Sequence, residues 1–84
     1  MNRTKRIKDI IEKNFNEFSV LVTDDSLDHK GHHNFDGKEE THIIIELKKK
    51  FDLDIKRLEI HKKINTLLSE EFNKGLHALQ IKII

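Results

Sequence analysis

The sequence predicts an α+β fold in which helices cover one face of a three-stranded sheet. Two segments repeat apolar residues every three or four positions, which is typical of amphipathic helices. Three shorter segments are rich in β-branched residues or alternate apolar with polar residues, which is typical of strands. The expected order is α-β-β-α-α-β, with the second helical segment divided in two. At 84 residues, the chain is expected to form a single domain, 1–84, around one thin core.

The first helix is expected from Asn2 to Phe15. Asn2 or Thr4 is the expected N-cap, because these side-chain oxygens can accept a hydrogen bond from the first helical turn. Asn14 or Asn16 is expected to end the helix. The apolar stripe of this helix, at helical spacing, consists of Ile7, Ile10, Ile11 and Phe15.

Two strands are expected next, with a long loop between them. The first strand covers Phe18 to Thr23. The second covers Thr41 to Leu47, and its central apolar run, Ile43–Ile45, favours a strand in the interior of the sheet. The intervening segment, Asp24 to Glu40, is polar, holds two glycines and has no period. Loops of this length in compact domains are usually functional or disordered.

A long helix is expected from about Asp54, followed by the last strand. Ser69 with two following glutamates is typical of a new N-cap and first turn, so a break is expected there. Gly75 is the expected C′ glycine, and Leu76 to Ile84 the last strand. With only three strands available, the helices must cover one face of a small sheet. The apolar face of the long helical segment comprises Leu58, His61, Ile64, Leu67, Leu68 and Phe72.

The composition excludes several classes of function. The sequence has no cysteine, which excludes disulfides, thiol catalysis and any site built on this chain's own thiolates. A formal charge of +1 is too small for nucleic-acid binding by bulk charge. No apolar run is long enough for a membrane span, and the basic N-terminus lacks the apolar run of a secretory signal, so we expect a cytoplasmic protein. No enzyme motif occurs, and we expect no catalysis.

Six histidines are the candidates for metal binding. His77 stands at the start of the last strand, where a neutral imidazole could bind iron, although a lone histidine in a strand is more often structural or merely exposed. In the polar loop, His29, His32 and His33 surround a glycine that permits a tight bend, and a solvated loop is the simpler explanation of these residues alone. We expect His42 to be a hydrogen-bonded structural histidine.

Four short motifs occur in order along the chain. The motifs are Asp25-Ser26-x-x-His29-x-Gly31-His32, Glu40-Thr41-His42, Ile60-His61-Lys62 and Leu76-His77-Ala78-Leu79. In this order, and at compatible spacing from about Arg3 to Ile83, they resemble the BolA family. The chain departs from that family's pattern at Ile43, where an aromatic residue is usual, and at Ile60 and Lys62, which replace two arginines.

The resemblance implies a fold similar to the class II KH topology and partnership with monothiol glutaredoxins. Such heterodimers bridge a [2Fe-2S] cluster, to which the glutaredoxin supplies one cysteine and glutathione a second thiolate. The BolA-like chain supplies one ligand from the loop between the first two strands and one from the histidine of the last strand. In this sequence those residues are His77 and either His32 or His29, with a slight preference for His32. No cofactor is expected on the chain alone.

The resemblance also implies an alternative, a nucleic-acid-binding transcriptional regulator that uses the helix-turn-helix and last strand. The lysines lack an aromatic stacking platform, and the sequence lacks the GxxG loop with which KH domains grip the backbone, so DNA is the weaker expectation. For His61 a structural hydrogen-bonded role is also open. We expect a free chain that is monomeric or weakly dimeric and binds no membrane. The candidate partner or nucleic-acid surface consists of Lys56, Arg57, His61, Lys62 and Lys63.

Overall fold

The computed structural model describes residues 2–25 and 41–84, and over these it confirms the predicted α-β-β-α-α-β order. The three strands form a sheet of order β1-β2-β3, in which β1 pairs antiparallel with β2 and β2 pairs parallel with β3. The prediction that the isoleucine-rich strand is interior is confirmed, because β2 is central. The elements are α1 (Arg3–Asn14), β1 (Phe18–Asp24), β2 (His42–Lys49), α2 (Arg57–Leu67), α3 (Ser69–Asn73) and β3 (Ala78–Ile83).

The bounds of α1 follow from its caps. The Asn2 side-chain oxygen accepts a hydrogen bond from the Lys5 amide at 2.9 Å, which confirms Asn2 as the N-cap. The helix ends at Asn14, and Phe15 is its C-cap. Ile7 and Ile11 are fully buried, so the predicted apolar stripe is the face that α1 packs on the sheet.

The core lies on one face of the sheet. Val22, Ile45 and Ile81 are aligned across the three strands, and alternation along the strands places every second residue on this face. The opposite alternation set, which includes Leu21, Ile44 and Lys82, is exposed or half-buried. The buried core comprises Ile7, Ile11, Phe15, Phe18, Val22, Ile43, Ile45, Leu47, Ile64, Leu68 and Leu76.

The structure corrects the start of the long helix. It begins at Arg57 instead of about Asp54. Leu53 and Ile55 are half-buried and pack against the core, whereas Asp54 between them is exposed. The alternating burial needs an extended connection, because helical residues two apart do not share a face.

The buried face of the long helical segment is also displaced from the prediction. Leu58 is 68% exposed, and His61 is half-buried. The fully buried positions are Ile64 and Leu68, with Ile60, Leu67 and Phe72 partly buried against the core. At about 100° per residue, Ile60 lies about 40° from the buried Ile64 around the helix axis, whereas Leu58 lies about 120° away and reaches solvent.

The predicted break between the two helices is confirmed, but the cap is not Ser69. Ser69 is the first residue of α3, and Leu68 occupies the N-cap position without a side-chain hydrogen bond. The glycine prediction is confirmed, because Gly75 follows the α3 C-cap Lys74 and has a φ of +120°. The last strand begins at Ala78 instead of Leu76, because the Leu76 amide donates to the Glu71 carbonyl at 2.9 Å in the turn that ends α3.

The long-loop prediction lies mostly outside the described residues. Asp24 belongs to β1, and Thr41 immediately precedes β2. The structure describes neither His29 nor His32, so their candidate ligand roles stay predictions.

Candidate metal centre

His77 is held by its backbone while its side chain is exposed. Its amide donates to the buried Thr41 carbonyl at 2.8 Å, and the Ala78 amide donates to the same carbonyl at 3.1 Å. These bonds place His77 directly before β3 and beside the start of β2. The imidazole therefore emerges from the end of the sheet on a fixed backbone, as a ligand for an external group requires.

The turn that leads to His77 is tied to α1 through Glu71. Arg3 Nε donates to Glu71 Oε1 at 2.9 Å, and Arg6 donates to both oxygens of this carboxylate at 2.9 Å. Arg3 also donates from Nη2 to the Lys74 carbonyl at 3.0 Å. Glu71 is 4% exposed, so one buried carboxylate joins the N-terminal helix to the segment that carries His77.

The charge state of Glu71 follows from these contacts. The hydrogen bond from Arg6 lowers the pKa of the Glu71 carboxyl most, burial opposes it, and Arg3 lowers it further by its hydrogen bond and charge. The net pKa lies below the ordinary value of a glutamate. The carboxylate is thus ionised at neutral pH, and the ion pairs are kept.

His42 lies next to His77, a juxtaposition that the sequence does not predict. The two ring centroids are 6.1 Å apart, and the rings are at 76° to each other. The Thr41 hydroxyl and His42 Nδ1 are within hydrogen-bond distance at 3.0 Å. The missed signal is that Thr-His and His-Ala begin two adjacent parallel strands, but the register that pairs His42 with Ala78 comes only from the fold.

A cleft of about 120 Å³ opens at this end of the sheet. The Asp25 amide donates to the His42 carbonyl at 2.7 Å, so β1 and β2 stay paired up to the cleft. Both Asp25 and Thr41, which flank the undescribed residues 26–40, thus lie at the same end of the sheet as His77. The cleft is lined by Asp25, His42, Ile43, Ile44, Ala78, Leu79 and Gln80.

The donors at this end of the sheet fit a [2Fe-2S] cluster that receives its thiolates from another molecule. The chain has no cysteine, and imidazoles are known to replace two thiolates on one iron of such clusters. His77 is exposed and backbone-anchored, as such a ligand must be. Within residues 2–25 and 41–84, no group of three or more His, Cys, Asp or Glu side chains could hold a metal, so this part of the chain supplies an incomplete ligand set.

The candidate partner surface lies mainly on α2. Its lysines and arginine are exposed, whereas His61 is half-buried. Arg57 donates to the Ile83 carbonyl at 3.3 Å, and the Lys63 ammonium lies 5.1 Å from the Phe15 ring centroid. Arg57 is therefore at the end of β3 opposite to His77, about 20 Å away at about 3.3 Å per strand residue.

In the described part of the chain, no helix has the length and apolar character needed to cross a membrane.

A family model described as BolA-like protein matches residues 11–84. The chain is 30% identical over 82 residues to "Protein BOLA1, chloroplastic" of Arabidopsis thaliana, which covers 95% of this chain and 51% of that protein. It is 31% identical over 83 residues to "Uncharacterized protein in cobS 5'region" of Sinorhizobium sp, and this match covers 98% of this chain and 89% of that protein. The chain thus spans about half the length of the plant relative and most of the bacterial one.

Solved structures agree with the sequence matches. The BolA domain of SufE1 from Arabidopsis thaliana superimposes with a TM-score of 0.77 at 30% identity, covering 99% of this chain and 91% of that one. BolA1 from Arabidopsis thaliana superimposes with a TM-score of 0.77 at 29% identity, covering 99% of this chain and 90% of that one. With the family model covering most of its length and relatives at about 30% identity covering nearly all of it, this chain belongs to the BolA-like protein family.

Proposed function

We propose that this BolA-like chain is a non-catalytic adaptor that binds a monothiol glutaredoxin and shares a bridging [2Fe-2S] cluster with it, in cluster trafficking or iron regulation. The observation that carries this proposal is His77, an exposed imidazole on a backbone fixed by the Thr41 carbonyl. In the partner complex, the cluster supplies redox-active iron whose potential is raised by imidazole ligands. The adaptor's own contribution is to hold His77 at a defined position.

The second ligand from this chain is proposed to be His32 or His29. Support comes from the positions of Asp25 and Thr41, which flank residues 26–40 and are both hydrogen-bonded at the His77 end of the sheet. Because both flanking residues lie at this end of the sheet, we expect a ligand from residues 26–40 to bind the same iron as His77. The partner's cysteine and a glutathione thiolate complete the ligand set.

The ligand imidazoles must be neutral to bind iron, because a protonated nitrogen has no lone pair to donate. We therefore expect the shared cluster to be lost as the pH falls. A complex that keeps its cluster spectrum unchanged from pH 8 to pH 5.5 would argue against imidazole ligation.

The basic residues on α2 are proposed to contact the partner. Lys56, Arg57, Lys62 and Lys63 are exposed and suit an acidic surface or the carboxylates of glutathione. Arg57 is about 20 Å along the strand from His77, so we expect it to contact the partner's protein surface and not a glutathione at the cluster.

The test is co-expression with a monothiol glutaredoxin, followed by visible absorption and circular dichroism of the purified complex. His77→Ala is expected to remove or alter the cluster spectrum, whereas Lys82→Ala, a change of an exposed β3 side chain outside the candidate partner surface, is expected to leave it intact. His32→Ala and His29→Ala then identify the second ligand.

An unchanged spectrum in His77→Ala would exclude His77 as a ligand. Failure of the wild-type complex to form would exclude glutaredoxin partnership. Tight DNA binding that falls steeply between low and moderate salt would instead support the transcriptional regulator.

A further inference from the structure

Two histidines of the described chain stand together at the end of the sheet. Because β2 and β3 are parallel, their first residues meet, and His42 is paired with Ala78 in the register. His77, the residue before Ala78, brings its ring centroid to 6.1 Å from that of His42. No other pair of imidazoles is recorded in ring contact among the described residues.

The separation is close to that of two imidazoles on one metal ion. A zinc–nitrogen bond is about 2 Å long and the ring centre lies about 1 Å beyond the nitrogen, so two histidines on a tetrahedral ion have centroids about 5 Å apart. The observed 6.1 Å exceeds this by about an ångström. His77 is exposed, and a rotation of about 25° about χ1, which a side chain tolerates at modest cost, displaces its ring centroid by about an ångström without moving the backbone.

The hydrogen bond between Thr41 and His42 is compatible with the tautomer that a metal needs, because the Thr41 hydroxyl can either donate or accept. His42 Nδ1 is 3.0 Å from the Thr41 hydroxyl oxygen. With Nδ1–H as the donor and the hydroxyl as the acceptor, the ring lone pair is on Nε2. Metal-binding histidines commonly have one nitrogen hydrogen-bonded in this way, which fixes the ring orientation and raises the basicity of the other nitrogen.

Solvent at the exposed His77 ring leaves room for an ion and its water ligands. The cleft of about 120 Å³ beside His42 is lined mainly by apolar residues together with Asp25 and Gln80, and His77 stands just outside it, next to the lining residue Ala78. Within the described residues, no third metal-binding side chain completes the set. In a chain without the loop histidines, water is expected to occupy the remaining positions, as in an open metal site.

We propose that His42 and His77 form a bis-imidazole site for a single divalent transition-metal ion on the isolated chain. The inference goes beyond the proposed function, because it requires neither a glutaredoxin nor residues 26–40. Imidazole is a good ligand for zinc, copper and nickel, and water ligands keep the ion accessible to exchange. Zn²⁺ is the probe of choice, because it adopts the tetrahedral geometry used above and has no redox chemistry.

The experiment uses the full chain with the loop histidines removed by His29→Asn, His32→Asn and His33→Asn. In this background, isothermal titration with Zn²⁺ is expected to show one bound ion per chain. His42→Gln or His77→Gln is each expected to weaken the affinity by about tenfold or more, as is typical when groups at a metal site are lost. His61→Gln is the matched control and is expected to leave the affinity unchanged.

A second measurement locates the ion directly. Substoichiometric Cu²⁺, which is paramagnetic, is expected to broaden the ring-proton resonances of His42 and His77 and to spare those of His61. Far-ultraviolet circular dichroism of each variant checks that the fold is kept.

Three outcomes would overturn the proposal. The first is that the chain without the loop histidines binds no zinc. The second is that His61→Gln and His77→Gln weaken the zinc affinity equally. The third is that Cu²⁺ does not broaden the ring-proton resonances of His42. Because no glutaredoxin is present, each leaves the cluster-sharing proposal to its own test.

Discussion

The two ends of β3 are held in different ways. Where β3 begins, the Thr41 carbonyl accepts bonds from two successive amides, the first that of His77, and the Glu71 ion pairs join this region to α1. Where β3 ends, the Ile84 amide donates to the Leu47 carbonyl at 2.8 Å, and Arg57 adds one exposed hydrogen bond of 3.3 Å to the Ile83 carbonyl. The end with the buried ion pairs carries the imidazoles, and the end with the exposed contact carries the basic surface.

This difference matches the chemistry that each end is proposed to perform. A metal ligand must be held within a fraction of an ångström, so several contacts are needed to fix its backbone. A charged surface that meets a partner tolerates movement, because exposed ion pairs depend weakly on geometry and contribute little energy. The predictions below test whether the imidazole end depends on its anchors more than the basic end does.

The largest effect is expected from Glu71→Ala. The change removes the carboxylate to which Arg3 and Arg6 donate, and Glu71 is only 4% exposed. Breaking such a buried ion pair lowers the free energy of unfolding by about 3 kcal/mol. Urea unfolding measures the loss. Glu70→Ala is the matched control, because Glu70 is the exposed neighbour, and it is expected to have little effect. Equal losses in both variants would show that the ion pairs do not hold this end.

A smaller loss is expected from Gly75→Ala. Gly75 has a φ of +120°, and a non-glycine residue in such a region costs about 2 kcal/mol. An added Cβ would lie 3.6 Å from Arg3 Nη2, an ordinary contact, so the cost comes from the backbone. Thermal or urea unfolding measures it, with Lys74→Ala as control, because Lys74 has a φ of −97°. A stable Gly75→Ala chain would contradict the backbone explanation.

The anchor is also expected to make stability depend on pH. The folded-state pKa of Glu71 is below its ordinary value of 4.5, so the folded state binds fewer protons than the unfolded state. Its contribution is complete above about pH 4.5 and is lost as the pH falls through the lower folded pKa. The effect is expected to be smaller than removal of the side chain, because a protonated carboxyl keeps some hydrogen bonds.

Unfolding free energies measured from pH 7 to pH 3 test this dependence. Glu71→Gln is expected to lose the part of the acid sensitivity that Glu71 contributes. If the unfolding free energy of Glu71→Gln fell with pH as steeply as that of the wild type, the acid sensitivity would come from other groups.

The smallest effect is expected at the basic end. Lys63→Ala removes the ammonium 5.1 Å from the Phe15 ring centroid, a contact of about 0.5 kcal/mol at an exposed site. Lys62→Ala is the matched control, because Lys62 is also exposed and no ring contact is recorded for it. Urea unfolding compares the two variants. If Lys63→Ala lost more unfolding free energy than Gly75→Ala, stability would depend more on the basic end than on the imidazole end, contrary to the comparison.

Much of the fold could be predicted because local chemistry determines it. Asn2 caps α1, since its side chain satisfies a first-turn amide within the same segment. The run Ile43–Ile45 predicts an interior strand by its continuous apolar character, although only Ile43 and Ile45 are buried in the core and Ile44, on the other face, is half-buried. Gly75 predicts a helix end, since its conformation is local to the turn.

The errors occurred where a distant contact decided the outcome. The helix was predicted from Asp54, but packing of Leu53 and Ile55 on the core extends the chain to Arg57. Leu58 was predicted to be buried, but it lies outside the face that meets the sheet. Local periodicity cannot register a contact with an element that is remote in the sequence.

The candidate site likewise combines residues that the local sequence identifies with residues that only distant contacts bring together. The sequence by itself singled out His77 through the motif around it, and it set the helices, the central strand and the absence of thiolates. Only the tertiary structure placed His42 beside His77 and Glu71 between Arg3 and Arg6. The physical reason is that parallel pairing and helix docking join residues separated by dozens of positions, and those distances are set by how the whole core packs.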